Sequence, residues 1–158
     1  MFKITIISVG NMKEKYFAEA IQEYEKRISA YAEIRDITLK EENLDNLREG
    51  DIAAALEREG SRILESIPPR AYKVALCVEG KSLSSEKLAE PVENAKNTQG
   101  EICVIIGSSH GLSPKVKTAC DYRLSVSALT FPHRLMRVIL TEAIYRALSI
   151  ANGGKYHK

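Results

Sequence analysis

Residues Gly107-Ser108-Ser109-His110-Gly111 fit G-x-S-x-G, the pattern by which α/β-hydrolases present a nucleophilic serine for acyl transfer. Three features count against that chemistry. The elbow needs a helix directly after the serine, whereas the helix-start pair Ser113-Pro114 comes several residues later. Downstream of Ser109 the only carboxylates for a triad are Asp121 and Glu142, and the fold usually needs more chain than remains. The histidines His110, His133 and His157 lie too far apart for a metal site, and no carboxylate joins them at a helical spacing. Cys77, Cys103 and Cys120 lack metal-like spacing. Cys77 and Cys103 lie in apolar runs, which predicts buried, reduced thiols. The patterns G-x-G-x-x-G and G-x-x-x-x-G-K-[ST] are absent.

The glycines have another use. Gly107 lets the backbone approach a ligand where a Cβ would clash, Gly111 allows a tight turn, and Gly80 follows an earlier strand in the same way. Three strand ends, after Leu76, at Gly107 and at Val126–Phe131, are therefore candidates for one pocket lined by main-chain groups. Such a pocket suits an adenine and a ribose, and the same residues equally allow three plain turns. Arg146 is a permanent cation, and its alternative use is a salt bridge to Glu142 four residues back. The end Gly153-Gly154-Lys155-Tyr156-His157-Lys158 reads, by itself, as a disordered tail.

The elements that must position these residues alternate. Lys3–Val9 reads as a buried strand, Lys13–Ser29 as an amphipathic helix and Ala32–Leu39 as a less buried strand. The acidic stretch Lys40–Asp51 reads as a loop or frayed helix, followed by a helix from Ile52 to Ile67 that Pro68-Pro69 ends. Tyr72–Val78 is a second buried strand that runs into a turn at Glu79-Gly80-Lys81. Ser84 or Ser85 can cap a third helix, which Gly100 closes. Glu101–Ile106 is a third buried strand, Ser113-Pro114 starts a helix, and Tyr122–Ser127 is the last strand. Pro132 then opens a helix whose Leu135, Met136, Val138, Ile139, Leu140, Ala143, Ile144, Ala147 and Leu148 are apolar around most of its circumference. Such a helix is buried on more than one side. The pattern predicts a single α/β domain over residues 1–158, with a mostly parallel sheet covered on both faces and ligands at the strands' C-terminal ends.

Composition sets outer limits. The chain has 158 residues, of which 44% are hydrophobic, enough for a real core. No apolar run approaches a membrane span, and the start MFKITIISVG lacks a signal-peptide layout, so a cytoplasmic protein without membrane or metal is expected. The net charge is +2, with the acids concentrated before residue 101 and the bases in excess after it. A basic C-terminal third hints at a polyanion partner.

The succession VEGKSLSSEKLA, IIGSSHGL, LSVSALTFPHRLMRVILTEAIYRA and the terminal Tyr156-His157-Lys158 resembles the ribosomal large-subunit pseudouridine methyltransferases of the SPOUT superfamily. The N-terminal SVGNMKEKYFAEAIQEYEKRI extends the resemblance over nearly the whole chain. It implies an α/β fold whose C-terminal part is tied into a trefoil knot that binds S-adenosylmethionine. It also implies a homodimer that methylates N3 of a pseudouridine in 23S rRNA, on the ribosome rather than on naked RNA. By the same resemblance Leu76 and Gly107 are cofactor contacts, and Val126, Ser127, Ala128, Leu129, Thr130 and Phe131 form the loop that wraps the cofactor. Arg146, Tyr156 and His157 match polar positions near the target base. Two positions depart from the family's pattern: Ser108 stands where a second glycine is frequent, and Ala128 where a polar residue is.

The chemistry expected of these residues is modest. A sulfonium methyl is already electrophilic, so the protein must align it and exclude water. Loss of the N3 proton puts negative charge on the base, which Arg146 could stabilise; His157 could accept the proton, and Tyr156 could stack on or hydrogen-bond the base. A non-catalytic ribosome-binding factor with a knotted fold is the alternative, and S-adenosylmethionine binding separates the two.

Overall fold

The computed structural model describes residues 1–43 and 48–157. Its elements are β1 (Lys3–Val9), α1 (Lys15–Ile28), β2 (Glu33–Leu39), α2 (Glu49–Ser66), β3 (Tyr72–Ser82), α3 (Ser85–Thr98), β4 (Glu101–Ile106), α4 (Pro114–Ala119), β5 (Tyr122–Ser125) and α5 (His133–Ala151). The strands form one five-stranded sheet in the order β2-β1-β4-β3-β5, and every pairing is parallel. Parallel strands need crossovers, and the intervening helices supply them.

Alternation along the strands gives each face its own core. Ile4, Ile6, Val74, Ile102, Val104, Ile106 and Leu124 pack under α1, α3 and α5. Ile7, Val9, Ala75, Cys103 and Ile105 pack on the opposite face against Ile63 of α2 and Val116 of α4. Both faces are therefore covered, which explains why the central strand β4 reads as an almost unbroken apolar run and β1 as one interrupted only by Thr5 and Ser8. The edge strand β2 is half exposed.

Several boundaries differ from those the sequence predicts. Helix α2 begins at Glu49 rather than Ile52, with Glu49 and Asp51 in its first turn, where carboxylates complement the helix N-terminus. Residues 44–47 of the acidic stretch lie outside the described residues. Strand β3 does not stop at Val78 but continues through Glu79-Gly80-Lys81 to Ser82. Leu76 and Lys81 both pair with Leu124, so residues 77–80 are a bulge within the strand rather than a turn after it. Gly80 permits this, because a Cβ there would lie 2.7 Å from the Leu124 backbone. Strand β5 ends at Ser125, two residues early, because the Ser125 hydroxyl turns to donate to the Ser127 carbonyl at 3.1 Å. Pro132 occupies the cap position before α5. Cys77, on the bulge, is half-buried, whereas Cys103 is buried as expected.

Helix α5 packs against both α1 and α3, with Leu140, Thr141, Ile144, Ala147 and Leu148 buried. Leu135, Met136, Val138, Ile139 and Ala143 keep part of their surface open. The chain end is not a loose tail: Tyr156 and His157 fold back and are half-buried.

Candidate active site

A cavity of about 380 Å³ opens beside the bulge of β3 and beyond the C-terminal ends of β4 and β5. Leu76 at the start of the bulge, Gly107 after β4, and Val126, Ser127, Leu129, Thr130 and Phe131 after β5 all line it, so the three segments converge, although Leu76 lies inside β3 rather than at its end. Ala128, expected with them, is exposed and is not among the lining residues.

The turn after β4 is built around close backbone contact. A Cβ on Gly107 would lie 2.3 Å from the Gly111 carbonyl oxygen, and no side chain fits there. Gly111 closes the turn, its N–H donating to the Ser108 carbonyl at 2.9 Å, and its φ of +85° is one that glycine adopts readily. The Ser108 hydroxyl donates to Glu59 Oε1 at 2.9 Å, and Glu59 Oε2 accepts the Glu42 N–H at 2.8 Å. Glu59 is 2% exposed, so α2 holds the turn through a buried carboxylate. After β5, the Ser127 hydroxyl accepts the Leu129 N–H at 3.0 Å and shapes the loop.

The serine-elbow reading fails on geometry as well. The exposed Ser109 hydroxyl lies 3.3 Å from His110 Nδ1, its own neighbour in sequence, and α4 begins five residues later. Asp121 accepts the Lys73 N–H at the opposite end of β3. Among the described residues no three His, Cys, Asp or Glu side chains group as metal ligands, and no helix is long and apolar enough to cross a membrane.

The expected base-side residues form a second cluster. Arg146 donates to Glu142 Oε1 through Nε at 2.9 Å and Nη2 at 2.5 Å, so the predicted i,i+4 pair exists. The same guanidinium lies 4.7 Å from the Tyr156 ring centroid and reaches His157 Nδ1 at 3.2 Å. Tyr156 donates to Glu142 at 3.2 Å, and its ring sits 4.6 Å from that of Tyr145. Burial, Tyr24 and Glu142 push the Tyr156 hydroxyl up to about 12, so it stays a donor. His157 Nε2 lies 2.7 Å from Glu86. A neutral ring satisfies both contacts, with Nδ1 accepting from Arg146 and Nε2–H donating to Glu86.

Cavity and cluster do not meet within one chain. Met136 lines the cavity, and Arg146 stands ten residues further along α5, about 15 Å at the helical rise. None of Arg146, Tyr156 and His157 lines the cavity.

Glu59, Glu79, Lys117 and His133 also belong to the site's surroundings, and the sequence did not single them out. Glu79 and Lys117 line the cavity and pair with each other. His133 lines it too, and burial, with Arg134 beside it, lowers its basicity so that it stays neutral. A signal existed for Glu59, which falls between Ala55 and Ile63 on the buried stripe of α2, where a charge is out of place.

A family model described as "Predicted SPOUT methyltransferase" matches residues 2–157. The chain is 45% identical over 157 residues to a protein of Bacillus pumilus (strain SAFR-032) named "Ribosomal RNA large subunit methyltransferase H", covering 98% of this chain and 99% of that one. A protein of the same name from Streptococcus thermophilus (strain CNRZ 1066) is 45% identical over 158 residues, covering 99% of each. Among solved structures, one described as "The structure of a probable methylase family protein from Haemophilus influenzae Rd KW20" superposes with a TM-score of 0.56. It is 13% identical and covers 98% of this chain and 70% of its own, a likeness of fold.

Proposed function

The chain belongs to the SPOUT methyltransferase family, and from that membership we propose that it methylates N3 of a pseudouridine in 23S rRNA, using S-adenosylmethionine and acting on the assembled ribosome in the cytoplasm. The observation that carries the cofactor assignment is the cradle at Gly107. Any side chain there would strike the Gly111 carbonyl, and the opening it leaves faces residues from the bulge of β3 and from the loop after β5. Main-chain groups of Leu76, Gly107, Val126, Ser127, Leu129, Thr130 and Phe131 hold the adenosine, which fits a cavity walled by backbone and largely apolar side chains; Ala128 shapes the loop from outside the cavity. We read the loops around this cavity as the trefoil knot of the fold.

The donor, when bound, supplies an activated methyl group, so the protein's work is alignment and charge. Arg146 faces the negative charge that develops on the base as N3 loses its proton. Glu142 and the Tyr156 ring fix the guanidinium's plane, which would otherwise sample many rotamers. Tyr156 and His157 contact the base. His157 can take a proton at Nδ1 only after Arg146 releases that nitrogen, so it serves first as a positioning group.

The separation of about 15 Å along α5 supports a homodimer in which one protomer provides the cavity and its partner provides Arg146, Tyr156 and His157. The half-open Leu135, Val138, Ile139 and Ala143 give α5 an apolar surface for an isologous contact. Mixing subunits tests this. Gly107→Val and Arg146→Ala chains, each inactive alone, should regain methyl transfer when co-assembled, because one of the two sites is then intact. No recovery in a verified mixed dimer would place all the residues on one chain.

A further inference from the structure

The cavity's walls are apolar, hydroxyl-bearing or imidazole side chains with one exception. Among the described residues Glu79 and Lys117 are the only Asp, Glu, Lys or Arg side chains that line it, and they pair with each other across its edge. Their positions have separate origins. The bulge between Leu76 and Lys81 carries Glu79, and α4 carries Lys117 from the far side of the Gly107–Gly111 turn.

We propose that this pair reads the amino-acid end of S-adenosylmethionine, Lys117 taking the α-carboxylate and Glu79 the α-ammonium. The inference rests on the reading of the cavity as the donor site. An adenosine can be held by backbone and apolar contacts, but the amino-acid end of the ligand, beyond the sulfonium, is a zwitterion whose two charges need partners of opposite sign. An ion pair answers this without leaving a net charge behind: each member exchanges one counter-charge for another on binding. The hydrogen bond from Lys117 holds the Glu79 carboxyl below the usual carboxylate range. The Glu79 side chain is 54% exposed and that of Lys117 23%, so the pair can open toward a ligand without unpacking the core.

Calorimetric titration of the full-length protein with two probes tests the assignment. S-adenosylhomocysteine keeps the amino-acid end, and 5′-methylthioadenosine lacks it. Lys117→Met should weaken S-adenosylhomocysteine binding about tenfold, the scale of a lost charged hydrogen bond, and leave 5′-methylthioadenosine within twofold. Glu79→Gln should show the same selectivity with a smaller loss. Equal weakening of both probes, or unchanged S-adenosylhomocysteine affinity, would overturn the assignment while leaving the cavity as the donor site. If the unaltered protein binds neither probe, the donor site itself is wrong and this inference goes with it.

Discussion

Glu59 Oε1 accepts a 2.9 Å hydrogen bond from the Ser108 hydroxyl, joining α2 to the turn at the mouth of the cavity. The other carboxylate oxygen holds the Glu42 N–H, and Glu42 in turn pairs with Arg58 and Arg62. A buried carboxylate survives because both oxygens are occupied. Ser108→Ala removes one partner and should cost ~1–3 kcal/mol of stability. Chemical denaturation checks this, and an unchanged midpoint would mean the bond contributes nothing.

Glu25 offers a prediction in pH. Burial, then the carboxyl of Asp36, push its own carboxyl from 4.5 up to about 8. Between those values the folded protein binds more protons than the unfolded chain, so stability falls as pH rises through that window. Glu25→Gln removes the dependence. Its melting temperature should exceed that of the parent at pH 8.5 and show a smaller gain, or none, at pH 5. A gap that is constant across this range would rule out Glu25 as the source.

The half-open apolar surface of α5 predicts assembly. Ile139→Asp should shift the protein from dimer to monomer in sedimentation at micromolar concentration, with methyl transfer falling in step. A parent protein that sediments as a monomer would remove the basis for a shared site.

Much of this was legible in the sequence, for physical reasons that differ by element. β1 and β4 are central strands covered on both faces, so their apolar runs mark both ends, and β4 matches residue for residue. The ends of β3 and β5 were not legible, because the bulge depends on pairing between strands some 45 residues apart in sequence and the early stop on a side-chain hydrogen bond that turns the backbone. The convergence of Gly107 and the Val126–Phe131 loop followed from the rule for parallel sheets, whereas Leu76 joins them from the bulge inside β3 rather than from a strand end. The docked chain end did not follow: Tyr156 and His157 are fixed by Glu142 and Glu86, and nothing local signals those contacts. Resemblance pointed to the residues there, but not to their distance from the cavity.

His157 separates positioning from proton transfer. With Nδ1 engaged by Arg146 and Nε2–H by Glu86, His157→Ala should lower methyl transfer by the same factor from pH 6 to pH 9. Partial recovery of the rate as pH rises would instead make His157 the base.

The most direct measurement is transfer of labelled methyl from S-adenosylmethionine to ribosomes, with mass spectrometry of the 23S rRNA to locate the product, alongside donor affinity for each variant. The parent protein should label N3 of a pseudouridine. Gly107→Val should neither bind donor nor transfer, as its side chain would meet the Gly111 carbonyl. Arg146→Ala, and separately removal of Tyr156-His157-Lys158, should bind donor as the parent does and transfer at least ~10²-fold more slowly. Donor binding with no methyl reaching 23S rRNA from the parent protein would contradict the account.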